Sequence, residues 1–318
     1  MKTIDFCIPF VGAGLRYTEF LVSNLLAMAT HPERISICLS VHSDTAIEII
    51  KNSPLNKTVN RIVGAQSYTA LTNESNHGES CVRGGAVGSA NHCSAIQALF
   101  EQTTADVVIF SDHDMAFLIA GWDSKITEIL ETHDLCGVGY PKFTFPLNEI
   151  EFPELHTLSG CNYRYIPNLS FLAISRQCID KHFPQGISSF HHYLANGGLP
   201  FQIVNTVQMA NTLHLPLGCI WWMDSGFEIP FVIQDKNLRY QTFIPVMFDK
   251  QTVFASDMFT ESLSTGNLPT VFIDSVTGEP LLAHYGRGTL KANLDNNASF
   301  DHFMAAVNGY LAKCVISL

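Results

Sequence analysis

Ala105-Asp-Val-Val-Ile-Phe-Ser-Asp-His-Asp-Met-Ala-Phe117 joins an apolar run to an abrupt cluster of charge. Val107 to Phe110 are β-branched or aromatic with no polar residue at helical spacing, so the run predicts a strand buried on both faces. Asp112 and Asp114 stand where that strand should end. In extended chain, residues i and i+2 point the same way, so the two carboxylates can face one ligand. Two negative charges side by side at the rim of a core are costly unless something positive lies between them. A divalent cation held by hard oxygen ligands meets that need. An Asp after a strand also serves turns and helix N-caps, so an isolated D-x-D is read as a turn about as readily as a ligand pair.

The wider chain supplies the context. Its 318 residues are 47% hydrophobic and 15% charged, with a mean hydropathy of +0.15, which is ample for a large core. The net charge of -11 and the lack of a basic patch or arm remove the phosphate-neutralising term of nucleic-acid binding. An anionic substrate would therefore need a local cation, either a metal ion or a few arginines. Nine cysteines are scattered without a C-x-x-C, a pattern of buried reduced thiols that predicts a cytoplasmic protein. The N-terminus enters a strand without a signal-peptide pattern, and no apolar run approaches the ~20 residues of a membrane span.

Strand and helix alternate ahead of Asp112. Ile4 to Val11 reads as a strand leaving through Gly12-Ala-Gly14, and Thr18 as the N-cap of an amphipathic helix. Ile35 to Val41 is a second strand ending at His42-Ser43-Asp44, and Arg61 to Gly64 a short third. Residues 66–88 are polar and glycine-rich, marking a loop, and 89–102 return to helix. This order predicts an α/β layer with a parallel sheet. Ligands of such sheets bind at the carboxyl ends of the strands, where Asp44, Asp112 and Asp114 all fall.

Beyond Asp114 come Gly121-Trp122, a helix over Ile126–Leu130 and a strand over Leu135–Gly139. A proline-bearing, loop-rich stretch follows over 141–167, then a strand over Leu169–Ile174. A helix over Gln202–Leu213 precedes the cluster Trp221-Trp222-Met223-Asp224, which leads toward a helix carrying Pro230 in its first turn. Tyr240–Val246 reads as a strand, and the tail carries His284-Tyr285-Gly286-Arg287 before a last helix around Phe300–Leu311. The expected organisation is a catalytic domain over 1–250, with a nucleotide-binding half 1–120 and an acceptor half 121–250. Residues 251–318 form a C-terminal elaboration that completes the site.

Taken together, these residues resemble a glycosyltransferase of the GT-A fold, nearest the family-2 type. The resemblance runs over residues 4 to about 250 plus His284. It rests on the opening strand, Ser43-Asp44, Arg83 with Gly88-Ser-Ala-Asn91, Val107–Phe110 leading into Asp112-His113-Asp114, Gly121-Trp122 and Asp224. It implies a nucleotide-diphospho-sugar transferase fold with a mostly parallel central sheet flanked by helices. It further implies a hexosyl- or pentosyltransferase moving a sugar from a nucleotide-sugar donor, UDP-linked by preference, to an acceptor hydroxyl on a glycan, small molecule or protein. Carried over by the resemblance, Asp114 is a direct ligand of Mn2+ or Mg2+, with Asp112 as its partner and His284 as a further ligand. Asp44 and Arg83 lie near the nucleotide, Arg287 meets a phosphate oxygen, and Asp224 is the general base of an inverting reaction. Trp221 or Trp222 stacks on a sugar. One departure bears on the base: the family carries an acidic pair where this chain has Met223-Asp224.

Plainer roles stand beside these. His113 points opposite its neighbours and reads as a spacer. Asp224 also fits a helix N-cap, and Ser89 and Asn91 fit caps of the helix they precede. Arg83 fits a solvated loop position, and His191-His192 a loop surface. An inactive nucleotide- or carbohydrate-binding protein of the same fold is one alternative. A sugar-nucleotide pyrophosphorylase is a second, echoed only by Gly12-Ala-Gly14-Leu-Arg16, and a metallohydrolase using Asp112, Asp114 and His284 is a third. A dinucleotide-binding dehydrogenase is disfavoured by the missing third glycine of the first turn, and Gly84-Gly-Ala-Val-Gly88-Ser89 has no P-loop lysine.

Overall fold

The first and fourth strands of the chain are buried along their whole length and form the axis of the fold. The computed structural model describes residues 2–67, 91–145, 148–150, 162–184, 186–187, 229–246, 270–285 and 298–316. The first half comprises β1 (Ile4–Pro9), α1 (Leu15–Met28), β2 (Ile35–Val41), α2 (Asp44–Lys51), β3 (Val59–Gly64), α3 (residues 91–100), β4 (Val107–Ser111) and β5 (Met115–Phe117). Next come α4 (Trp122–Thr132), β6 (Leu135–Phe145), β7 (Asn148–Ile150), β8 (Asn162–Ser175) and α5 (Arg176–His182). The remainder is α6 (Ile229–Asp235), β9 (Tyr240–Val246), β10 (Thr270–Asp274), β11 (Pro280–His284) and α7 (Ala298–Ile316).

The strands form one sheet in the order β3-β2-β1-β4-β8-β6-β9-β10-β11-β5, with β7 against β6. Pairs β3–β2, β2–β1, β1–β4 and β6–β9 are parallel. The strands β8, β10, β11 and β5 enter by antiparallel pairing. The class is α/β, as the sequence predicts.

Period-two alternation builds the two faces. Ile4, Phe6 and Ile8 of β1 and Val107 and Ile109 of β4 join a core with α1 and α2. Cys7, Val108 and Phe110 join the opposite core, with Ile96 and Leu99 of α3 and Ile229 and Ile233 of α6. Both faces being covered, β4 carries a continuous apolar run from Val107 to Phe110, and β1 is interrupted only by the buried Asp5.

Trp122 anchors α4 under the sheet. Its ring stacks on Phe117 at 4.1 Å, and its Nε1 donates to the Leu25 carbonyl at 2.8 Å. Burying such a ring with its polar handle satisfied contributes ~1.5–3 kcal/mol. Gly137 of β6 faces the Phe171 carbonyl of β8, where an added Cβ would collide with the oxygen.

Two expectations change. Thr18 lies inside α1 rather than capping it, and its hydroxyl donates back to the Gly14 carbonyl at 3.2 Å. Much of 141–167 is strand, not loop: Pro141 pairs with Tyr165 and Pro167 with Gly139, next to a register shift between Gly137 and Gly139. Proline suits positions beside an irregular ladder, where its missing N–H costs little. The tail contributes two strands, β10 and β11, to the main sheet itself. Pro230 does sit in the first turn of α6. The predicted helix over Gln202–Leu213 lies outside the described residues.

Candidate metal centre

The Asp112-His113-Asp114 segment crosses from the interior of the sheet to its far end. β4 lies beside β1, yet β5, three residues later, pairs with β11 at the far end of the strand order. Backbone bonds fix this crossing at both sides. The Asp112 N–H donates to the Ser170 carbonyl at 2.8 Å, and the Tyr285 N–H donates to the Asp114 carbonyl at 3.0 Å. On the free edge of β5, the buried side chain of Asn24 from α1 imitates another strand. It accepts from the Phe117 N–H at 2.6 Å and donates to the Phe117 carbonyl at 3.1 Å.

Register then delivers the third group. His284 ends β11 opposite Met115, one residue past Asp114. Its Nε2 stands 3.2 Å from Asp114 Oδ1 and 3.8 Å from Asp112 Oδ2. One potential ligand atom from each of Asp112, Asp114 and His284 lies within 4.8 Å of the others. The Asp114 side chain is 4% exposed, that of His284 11% and that of Asp112 28%, so the group opens to solvent on the Asp112 side.

These residues fit a divalent cation. Ligands at ~2.1–2.2 Å from an ion stand about 3 Å apart when adjacent and about 4.4 Å when opposite. The spacings here fall in that span. Two carboxylates and one imidazole suit Mn2+ or Mg2+ better than a thiolate-preferring ion. Without a cation, His284 donates to Asp114 and the second carboxylate is left in a half-buried place.

These surroundings act on Asp112. Burial pushes its carboxyl above the usual range, and Asp114 adds to the rise, while His92 and His284 oppose it. The folded-state value therefore lies above the unfolded one. Ionising Asp112 thus costs stability in the metal-free fold as pH rises from the unfolded-state value through the folded-state one. Asp112→Asn is accordingly expected to raise the metal-free melting temperature. Differential scanning calorimetry in chelator checks this. A lower melting temperature would mean that the carboxylate serves a structural ion pair.

The middle residue belongs elsewhere. His113 turns into the core, stacks on Tyr17 at 5.7 Å, and presses on the turn after β1. A Cβ on Gly14 would come within 2.7 Å of its Nε2, so only glycine fits there.

Asp44 lies on the same carboxyl edge, since β1 to β4 run parallel, but it is exposed in the first turn of α2 and is not a member of the cluster. Ser43 caps that helix by accepting from the Ala46 N–H at 3.2 Å. Arg83, Trp221, Trp222, Asp224, Arg287 and the His191-His192 pair lie outside the described residues.

One neighbour escaped the sequence reading. His92, in the first described turn of α3, places Nε2 3.6 Å from Asp112 Oδ1. Its position directly after Asn91, where a helix leaves the carboxyl edge, was the available signal. Its partner across the sheet is invisible in sequence.

No family model matches this sequence, and no curated protein matches it. Among solved structures, a mannosyltransferase from Pyrobaculum calidifontis in complex with GDP-Man and Mn2+ aligns over 100% of this chain and 76% of its own, at 10% identity and a TM-score of 0.38. S. aureus TarS 1-349 in complex with UDP-GlcNAc aligns over 58% of this chain at 12% identity and a TM-score of 0.33, and this chain spans only 48% of it. M. tuberculosis glucosyl-3-phosphoglycerate synthase gives 15% identity, a TM-score of 0.31, and coverages of 55% and 58%. Likenesses this distant assign no family, so the chemistry rests on the cluster itself.

Proposed function

We propose that this chain is a metal-dependent glycosyltransferase that moves a sugar from a UDP-linked donor to an acceptor hydroxyl with inversion. The observation that carries this reading is the convergence of Asp112, Asp114 and His284 at the carboxyl edge of a parallel α/β layer, the edge where such sheets take nucleotides.

Asp114, His284 and Asp112 hold Mn2+ or Mg2+ in this reading. The cation supplies charge stabilisation to a diphosphate leaving group. Asp44 and Arg83 contact the nucleotide, and Arg287 a phosphate oxygen. Asp224 takes the proton from the acceptor hydroxyl as its oxygen bonds to the anomeric carbon, and the carbon–oxygen bond to the diphosphate breaks with its electron pair on the departing oxygen. Residues 1–120 act as the nucleotide half and 121–250 as the acceptor half, while 251–318 complete the site through His284. Buried thiols at Cys7, Cys38, Cys136 and Cys178 suit a reducing, cytoplasmic setting. Among the described residues, no helix is long and apolar enough to cross a membrane.

The test is nucleotide release from UDP-, GDP-, CMP- and dTDP-sugars with Mn2+ and a panel of hydroxyl acceptors. UDP release that depends on both Mn2+ and acceptor is expected. Binding without release from any donor would instead mark an inactive nucleotide-binding protein. Phosphoester cleavage with no sugar acceptor would mark a hydrolase.

A further inference from the structure

Asp112 is the most exposed member of the cluster and is flanked by imidazoles on both oxygens. Oδ1 faces His92 Nε2 at 3.6 Å, and Oδ2 faces His284 Nε2 at 3.8 Å. The two histidines reach it from elements far apart in sequence, α3 and β11. α3 is a firm platform, because Cys93, Ile96 and Leu99 are fully buried in the core. Beside the end of β2, the His42 Nδ1 stands 3.0 Å from the Gln66 carbonyl. His92 itself is outside the group whose ligand atoms all lie within 4.8 Å of one another. Its ion pair within the candidate site is with Asp112.

A carboxylate on a turn can rotate and present either oxygen. A donor fixed on one oxygen commits the other to the ion, and such outer partners govern how well a ligand set is preorganised. We propose that His92 is a positioning residue: its Nε2, 3.6 Å from Asp112 Oδ1, closes on that oxygen as donor when a divalent cation binds, so that Oδ2 stays aimed, with Asp114 and His284, at the ion. This rests on the reading of the cluster as a cation site. It adds a fourth residue whose role is to set affinity rather than to bind the ion.

The test is a titration of metal-free protein with Mn2+, free Mn2+ being read by electron paramagnetic resonance, with melting temperatures measured in parallel. Wild type, His92→Leu, His92→Gln and Asp114→Ala are compared. His92→Leu is expected to weaken Mn2+ binding by about 10–100-fold. His92→Gln, whose amide N–H reaches the same place, should restore near wild-type affinity, which a purely space-filling role would not predict. Equal affinity in His92→Leu and wild type, with Asp114→Ala losing the ion, overturns the role of His92 and leaves the cation site standing. His92→Gln binding as weakly as His92→Leu also overturns it. No Mn2+ binding by the wild type removes the cluster reading and this proposal together. Should His92→Leu not fold, His92→Asn, whose amide stops short of Asp112, takes its place with the same expectation.

Discussion

Asp114→Ala is expected to reduce metal-dependent transfer by about a thousandfold or more while leaving the protein folded. Asp114 is the most buried of the three candidate ligands, and its oxygen is the nearest to His284. Charge stabilisation by a bound cation contributes several kcal/mol to a transition state, and each ~1.4 kcal/mol lost is a factor of ten in rate. The fold should survive because the backbone, not the carboxylate, joins this turn to its neighbours: the Asp114 carbonyl accepts from Tyr285, and β5 pairs with β11 and Asn24. Nucleoside diphosphate release with saturating donor, together with circular dichroism, measures both. Full activity in a folded Asp114→Ala protein would remove the premise of the metal-centre reading.

Asp224→Asn is expected to leave Mn2+-dependent UDP binding intact and to lower turnover by about 10²–10⁴-fold, the usual worth of a positioned general base. The amide keeps the size of the side chain and loses only the capacity to take a proton. Loss should therefore fall on kcat, with KM for the donor little changed. Because Met223 stands where an acidic pair is usual, this is also the sharpest test of stereochemistry. Unchanged turnover would place the base elsewhere or indicate retention of configuration.

Much of this site was legible because its parts obey local rules. The apolar run Val107–Phe110 behaves as a strand buried on both faces, and Asp112 follows where the strand stops. The geometry of the carboxylate pair differs from its derivation. The chain turns at His113 instead of staying extended, and the carboxylates converge through backbone pairing rather than strand alternation. His284 is singled out through the resemblance, and its approach depends on the β11–β5 register, 170 positions along the chain from Asp114. Short strands such as β5 and β7 carry too few residues to show a period, and the extensions of β6 beyond Gly139 and of β8 before Leu169 lie among prolines and glycines near the shifted register. His92 went unread for the same reason as β11: its meaning lies in a contact between elements.

The central claim is that Asp112, Asp114 and His284 form a cation-dependent nucleotide site, and a thermal melt tests it most directly. Wild-type protein is heated with UDP and Mn2+, with UDP and chelator, and with Mn2+ alone. UDP with Mn2+ at about 100 times its dissociation constant is expected to stabilise by ~2.7 kcal/mol. UDP with chelator should give much less, and Asp114→Ala should lose the difference. If neither UDP nor GDP, CMP or dTDP shifts the melt with any divalent ion, the claim is contradicted.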